Sequence, residues 1–238
     1  MSRLIPLVLL AMSAVQQPVR QETLTLFIRG DRAGTLTSVD TPTADGGWIL
    51  KRGARMAIRR GPGELLQLNS DTHAELAADL SPHNFKYVRS DATGSFITEG
   101  KATCAKDGCS VRVKTTAGGV SSEKDLKLAP GVSLATAAEV RARQNLKDGA
   151  AWNAEVLVEE LGELKPASWT VKKDGVNWIV RSSVAGVESV DTVDAKGRTL
   201  KSEVAMLSAV ALPEGQTPSS AAVETLDVLA QSTWRGPP

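Results

Sequence analysis

The chain is predicted to be mainly β: one large antiparallel sheet with one central helix and a short C-terminal helix. Three observations predict it. Apolar and polar residues alternate with a period of two through most of the sequence. Glycine-bearing turns such as Gly30-Asp31-Arg32-Ala33-Gly34 and Lys173-Asp174-Gly175 separate the alternating runs. The period becomes helical in one central segment, after Pro130-Gly131, and once more near the C-terminus.

The first residues are not part of that sheet. Met1-Ser2-Arg3 and the apolar run Leu4 to Met12 precede the small residues Ala11, Ser13 and Ala14, the layout of a cleaved export signal over residues 1–17. The run is far below the roughly 20 residues that span a bilayer, and no later segment approaches that length. The expected address is therefore exported, periplasmic or secreted. No cysteine stands near the cut, which excludes a bacterial lipoprotein anchor. The chain carries 28 Lys and Arg against 27 Asp and Glu, so no global field draws it to nucleic acid or to an anionic membrane. The mature chain suffices for a single β domain, expected over 22–212, followed by a linker and short helix over 213–238.

In order, Leu24, Leu26 and Ile28 alternate with Thr23, Thr25 and Arg29, turn at Gly30 to Gly34, and return through Thr35 to Val39 as a hairpin. Trp48 to Arg60 reads as a long strand, with Arg52, Ala54, Met56 and Ile58 on one side and Lys51, Arg55, Ala57 and Arg59 on the other. Leu65 to Leu68 and Phe85 to Val88 read as short strands, with a single helical turn at His73 to Leu76 between them. Phe96 to Thr103 and Ser110 to Thr116 form a hairpin closed by Ala105-Lys106-Asp107-Gly108, and Glu123 to Leu128 adds a strand. Thr136 to Leu146 is the helix, with Thr136 and Glu139 at capping-box spacing and Arg141, Arg143 and Lys147 expected in water. Strands follow from Trp152, Trp169, Val176, Val187 and Thr199, the last running to Leu207. Ala222 to Ala230 supplies the short terminal helix.

Few residues offer chemistry. Cys104 and Cys109 are the only cysteines and stand opposed across a hairpin turn. In an exported chain this reads as a structural disulfide, stabilising by up to about 2 kcal/mol because the closed loop is small. A redox pair or half of a metal site are the rivals, and the four-residue spacing fits neither. His73 and His83 lie in no metal motif, no serine sits in a nucleophile elbow, and the Gly94 to Lys101 run fails as a phosphate loop. Asp191 and Asp194 lack the other oxygens of a calcium loop. No catalytic residue, metal or cofactor is expected. Lys51, Arg55 and Arg59 share a strand face and are the candidate anion site, against a plain solvated face. Trp48, Trp152 and Trp178 are candidate linings of a ligand cavity, against ordinary packing.

The Gly-Asp-Arg-Ala-Gly turn, the Gly131-to-Gly149 segment, Asp148-Gly149-Ala150-Ala151-Trp152, the Val193-to-Lys201 hairpin and Leu226-to-Ala230 occur in an order that is similar to a known module. The chain resembles the β-rich module that precedes the catalytic domain of bacterial secreted transglutaminase-like proteins. More distantly it resembles DUF3108-type periplasmic domains and the LolA-like lipoprotein-carrier superfamily. The resemblance implies a strongly curved antiparallel sheet, a half-barrel wrapped partly around a helix, which in some members encloses a lipid-sized cavity. It carries over no peptidase or transferase activity, since the family's Cys-His-Asp domain would begin where this chain reaches Pro238. The expected function is a non-enzymatic binding module holding a hydrophobic ligand, a lipid or a lipidated protein. The alternative is a structural or protein-interaction domain of the bacterial envelope.

Overall fold

A computed structural model describes residues 19–59 and 65–218. The expected signal at 1–17, Arg60 and the expected helix at 222–230 lie outside them, as do most of the expected linker and the turn at Gly61. The chain forms a single 15-stranded sheet that curls until it is nearly closed into a barrel. Its N-terminal arm is a meander of β1 (Arg20–Ile28), β2 (Asp31–Pro42), β3 (Trp48–Arg59), β4 (Leu65–Leu76), β5 (Pro82–Asp91), β6 (Gly94–Ala105), β7 (Gly108–Ala117) and β8 (Val120–Leu128). A two-residue β9 (Ser133–Leu134) leads into α1 (Ala135–Gln144). The C-terminal arm is β10 (Ala151–Val158), β11 (Glu163–Asp174), β12 (Asn177–Val184), β13 (Val187–Val193), β14 (Thr199–Val204) and β15 (Ala209–Pro213). β15 pairs antiparallel with β1, with Leu26 opposite Ala211, and this pairing fuses the two arms. β9 on β10 is the one parallel pair among the described residues.

Several elements are longer than their sequence signals. β4 runs without a break to Leu76, so His73 to Leu76 is strand and not a helical turn. Its pairing with both β3 and β5 overrides the local ambiguity. The expected strand Thr199 to Leu207 ends at Val204, passes through a 3-10 turn at Ala205–Leu207, and returns as β15.

The period-2 alternation decides which side chains face inward. One inner row crosses the N-terminal arm as Leu50, Ala74, Phe85, Gly100 and Val113. Gly100 is required there: a Cβ would stand 2.0 Å from the Phe85 ring. Helix α1 lies within the curl and presents three faces. Ala137 and Val140 join Leu50, Leu76, Phe85, Val111, Val113 and Leu128 of the N-terminal arm. Ala138 and Ala142 join Val156, Trp169, Val171, Val180 and Val193 of the C-terminal arm. Glu139 and Arg143, one turn apart, look toward the floor formed by β1, β3 and β13.

A turn clasps the two ends of the sheet. Between β10 and β11, Gly162 (φ +60°) packs so tightly that a Cβ would meet Val113 Cγ1 at 2.8 Å and Thr98 Cγ2 at 3.0 Å. Thr98 is fully buried, and its hydroxyl donates to the Glu160 carbonyl at 3.5 Å. Lys124 of β8 reaches Glu163 at 3.9 Å.

Candidate functional site

Read along its strands, the inner surface changes character. On β3 the inward residues run Leu50, Arg52, Ala54, Met56; on β2, Asp40, Ser38, Leu36; on β13, Val193, Asp191, Ser189. On β3 and β13 the row starts in the helix-packed core and crosses a charged position, on β2 it starts at the charged position, and all three continue into less polar or smaller residues. The result is an apolar half around α1, a charged belt, and a second apolar half beyond it.

The belt is built from both arms and the helix. Arg52 pairs with Asp40, which is only 5% exposed, and its Nε lies 3.7 Å from Glu139 Oε2. Arg143 Nη1 donates to Thr199 Oγ1 at 2.9 Å and to Glu22 Oε2 at 3.5 Å, and its Nη2 stands 3.6 Å from Asp191 Oδ2. Glu22 also accepts from Arg20 at 2.8 Å and from the Thr199 backbone N–H at 3.2 Å. Burial alone would raise the Glu22 carboxyl; Arg20, Arg143 and Thr199 outweigh it and hold the group below the usual range. Glu139 shows the opposite balance. Its position deep between the arms raises its carboxyl against the pull of Arg52 and Arg143, although 49% of its side chain remains accessible.

Glu159, from the β10–β11 turn, reaches the start of α1. It accepts from the Thr136 N–H at 3.3 Å and from the Thr136 hydroxyl, and is 4% exposed. Burial pushes its carboxyl up to about 7. The expected Thr136–Glu139 capping box is therefore not formed: Leu134 is the N-cap residue and makes no side-chain cap. The orphan amide at the helix start is served by a carboxylate distant in sequence. Arg143 likewise departs from the expectation that it stays in water, because three partners on β1, β13 and β14 draw it inward.

Beyond the belt, Leu26, Ala33, Ala209 and Ala211 are buried together with partly accessible Leu24, Ile28, Leu36, Met56 and Val204. All lie on β1, β2, β3, β14 and β15. No residue of α1 belongs to this cluster.

The residues expected to matter fall elsewhere. Lys51 and Arg55 are on the convex face, where Arg55 makes a bidentate pair with Asp71 at 2.8 and 2.9 Å and also donates to the Ser70 carbonyl. Arg59 ends β3. Trp48 packs on the N-terminal core, whereas Trp152 and Trp178 pack on the C-terminal core around α1. Trp152 stacks on buried Trp169 with centroids 5.8 Å apart, and Lys173 lies over the Trp178 ring. Cys104 and Cys109 face each other across the β6–β7 hairpin and are joined as a disulfide, with Cα atoms 4.0 Å apart. Asp194 closes its own turn by accepting from Lys196 and Arg198, while Asp191 turns inward. No group of three or more metal-ligating side chains occurs among the described residues, and no described helix is long and apolar enough to cross a membrane. Sequence reasoning missed Arg52, Asp40 and Glu22 as site residues. Their signal was a charge standing at an inward position of an otherwise apolar alternation.

Fold and interior together define a barrel-like, single-sheet β protein with a helix on its inner side. No protein-family profile matches the chain, and no curated protein matches it in sequence. It is similar to the crystal structure of a beta-barrel-like protein of the domain of unknown function DUF1849 from Brucella abortus. The TM-score is 0.59 with 14% identity over 83% of this chain and 96% of that one. A DUF1089 family protein from Pseudomonas aeruginosa overlaps at a TM-score of 0.38 and 12% identity, over 87% and 98% of the two chains. The Brucella match supports the barrel-like fold.

Proposed function

We propose that the protein is a non-enzymatic, exported binding module that holds a hydrophobic or lipid-like ligand, or the lipid of a lipidated protein, within its curled sheet. One observation carries the reading: an apolar inner surface of partly accessible Leu24, Ile28, Leu36, Met56 and Val204 around buried Leu26, to which helix α1 contributes no residue. Burial of an acyl chain against such a surface gains roughly 25 cal/mol per Å² of apolar area removed from water. The charged belt beside it suits the polar end of the same molecule. The kinship with transglutaminase-associated modules and lipoprotein carriers belongs to this reading and rests on the sequence motifs. The rival, a purely structural or interaction domain of the envelope, is favoured by the way α1 fills the other half.

Native mass spectrometry of the protein isolated from its own envelope tests the proposal, together with titration of the stripped protein by dansyl-undecanoic acid. Carriage predicts a stoichiometric lipid mass and saturable fluorescence that Met56→Glu abolishes. A bare mass in repeated preparations, with no saturable binding, overturns it.

A further inference from the structure

Among the described residues, eight large apolar side chains are exposed, and they are not scattered evenly. Val19 and Val176 lie at the strand ends near Trp48. Leu65, Val120, Leu161, Val187, Met206 and Leu207 all belong to turns or strand ends on the opposite side, where the uncovered inner apolar surface also ends at Ile28, Met56 and Ala209. The turn carrying Met206 and Leu207 is fastened to the β1–β2 turn. The Arg29 N–H donates to the Ser208 carbonyl at 3.0 Å, so the turn carrying Arg29 and exposed Arg32 lies beside the turn carrying Met206 and Leu207. Arg29 (φ 53°) and Ser208 (φ 46°) both hold left-handed backbone, a conformation non-glycine residues adopt at a cost. The Arg29-Gly30-Asp31-Arg32 turn has a net charge of +1, with neither arginine in an ion pair among the described residues, and the stretch from Val204 to Pro213 carries no charge.

We infer that the paired Arg29–Arg32 and Met206–Leu207 turns are a docking edge for a phospholipid bilayer. The chemistry fits that partner on two counts. Met206 is 62% and Leu207 41% exposed, and both can enter the acyl boundary while the neighbouring guanidiniums remain at phosphate level. The other exposed apolar residues, Val120 among them, sit singly on separate turns. Docking goes beyond ligand carriage, and the two events have separate readouts.

Flotation of the full mature chain tests the edge, using vesicles of phosphatidylcholine alone and of phosphatidylcholine with phosphatidylglycerol. The protein is expected to float with both and more strongly with the second. Met206→Glu with Leu207→Glu should lower the partition coefficient by about tenfold or more on both vesicles. Arg29→Gln with Arg32→Gln should remove only the phosphatidylglycerol increment. Val176→Glu, at the opposite end, should change nothing. If the charged pair disturbs folding by circular dichroism, Met206→Ser with Leu207→Ser replaces it. Wild type left at the bottom of both gradients overturns the inference, as does a Met206/Leu207 variant that floats like wild type. Self-association that the same substitutions abolish, without flotation, assigns the edge to a second copy and also overturns it.

Discussion

The two halves of the inner surface share one sheet and use it differently. Around α1, both arms supply an apolar layer and the helix supplies the second, so residues such as Leu50, Leu157 and Val193 are almost or wholly excluded from water. Beyond the belt, the same alternation continues through Leu24, Leu36 and Met56, to which α1 contributes no residue. A sheet face with a second layer is a folding core; one without it is surface held ready for something else. The difference teaches that stability and binding are assigned to separate lengths of the same strands.

The sharpest test of that division is a pair of truncations. Leu157→Ala removes a fully buried side chain and is expected to cost roughly 2–5 kcal/mol, read from denaturant unfolding midpoints. Met56→Ala, on the uncovered half, should cost roughly 1 kcal/mol because its side chain is already partly wet. Equal costs would erase the distinction between the halves.

The belt between them comes next. Arg143→Met leaves Asp191 without its cationic partner and Glu22 with Arg20 alone, at an expected cost of roughly 2–3 kcal/mol after discounting for partial exposure. Adding Glu22→Gln and Asp191→Asn should restore most of that stability. Failure of the triple variant to recover would show that Arg143 acts through packing and not charge.

The smallest expected effect concerns Glu159, the link from the clasp to the helix. Its folded carboxyl titrates near about 7, against a reference value of 4.5. A carboxyl with a raised folded pKa contributes stability below its unfolded pKa, and that contribution is lost as pH rises through the folded one. Stability should therefore decline between about pH 4.5 and 7 on this account. Glu159→Gln should flatten that decline and gain up to roughly 2 kcal/mol at pH 8, since an amide oxygen still accepts from Thr136. A variant with the wild-type pH profile would remove Glu159 as the cause.

How much of this was legible in the residues depends on distance along the chain. The hairpins were legible, because a strand, a glycine turn and the returning strand are local events. So was the Cys104–Cys109 opposition, which needs only two strands and a turn. The inward parity of β3 was readable as well, with Arg52, Ala54 and Met56 on one side and Lys51 and Arg55 on the other. What Arg52 does there was not, since Asp40 and Glu139 come from a neighbouring strand and from the helix. The direction of Arg143 was misjudged for the same reason: its partners lie on β1, β13 and β14, and helical period alone puts it on a polar face. Glu159 as the carboxylate at the helix start has no local signature at all.

The sequence by itself determined the mainly β class, the antiparallel hairpins, the single central helix and the face of each strand that seeks the core. These follow from backbone period and turn chemistry, which act over a few residues. Only the tertiary structure decided that β15 would seal the arms through β1, that the β10–β11 turn would clasp the ends, and that α1 would cover one half of the inner surface and leave the other bare. Those outcomes depend on which apolar surfaces meet when distant segments curl together, a many-body choice that no local pattern encodes.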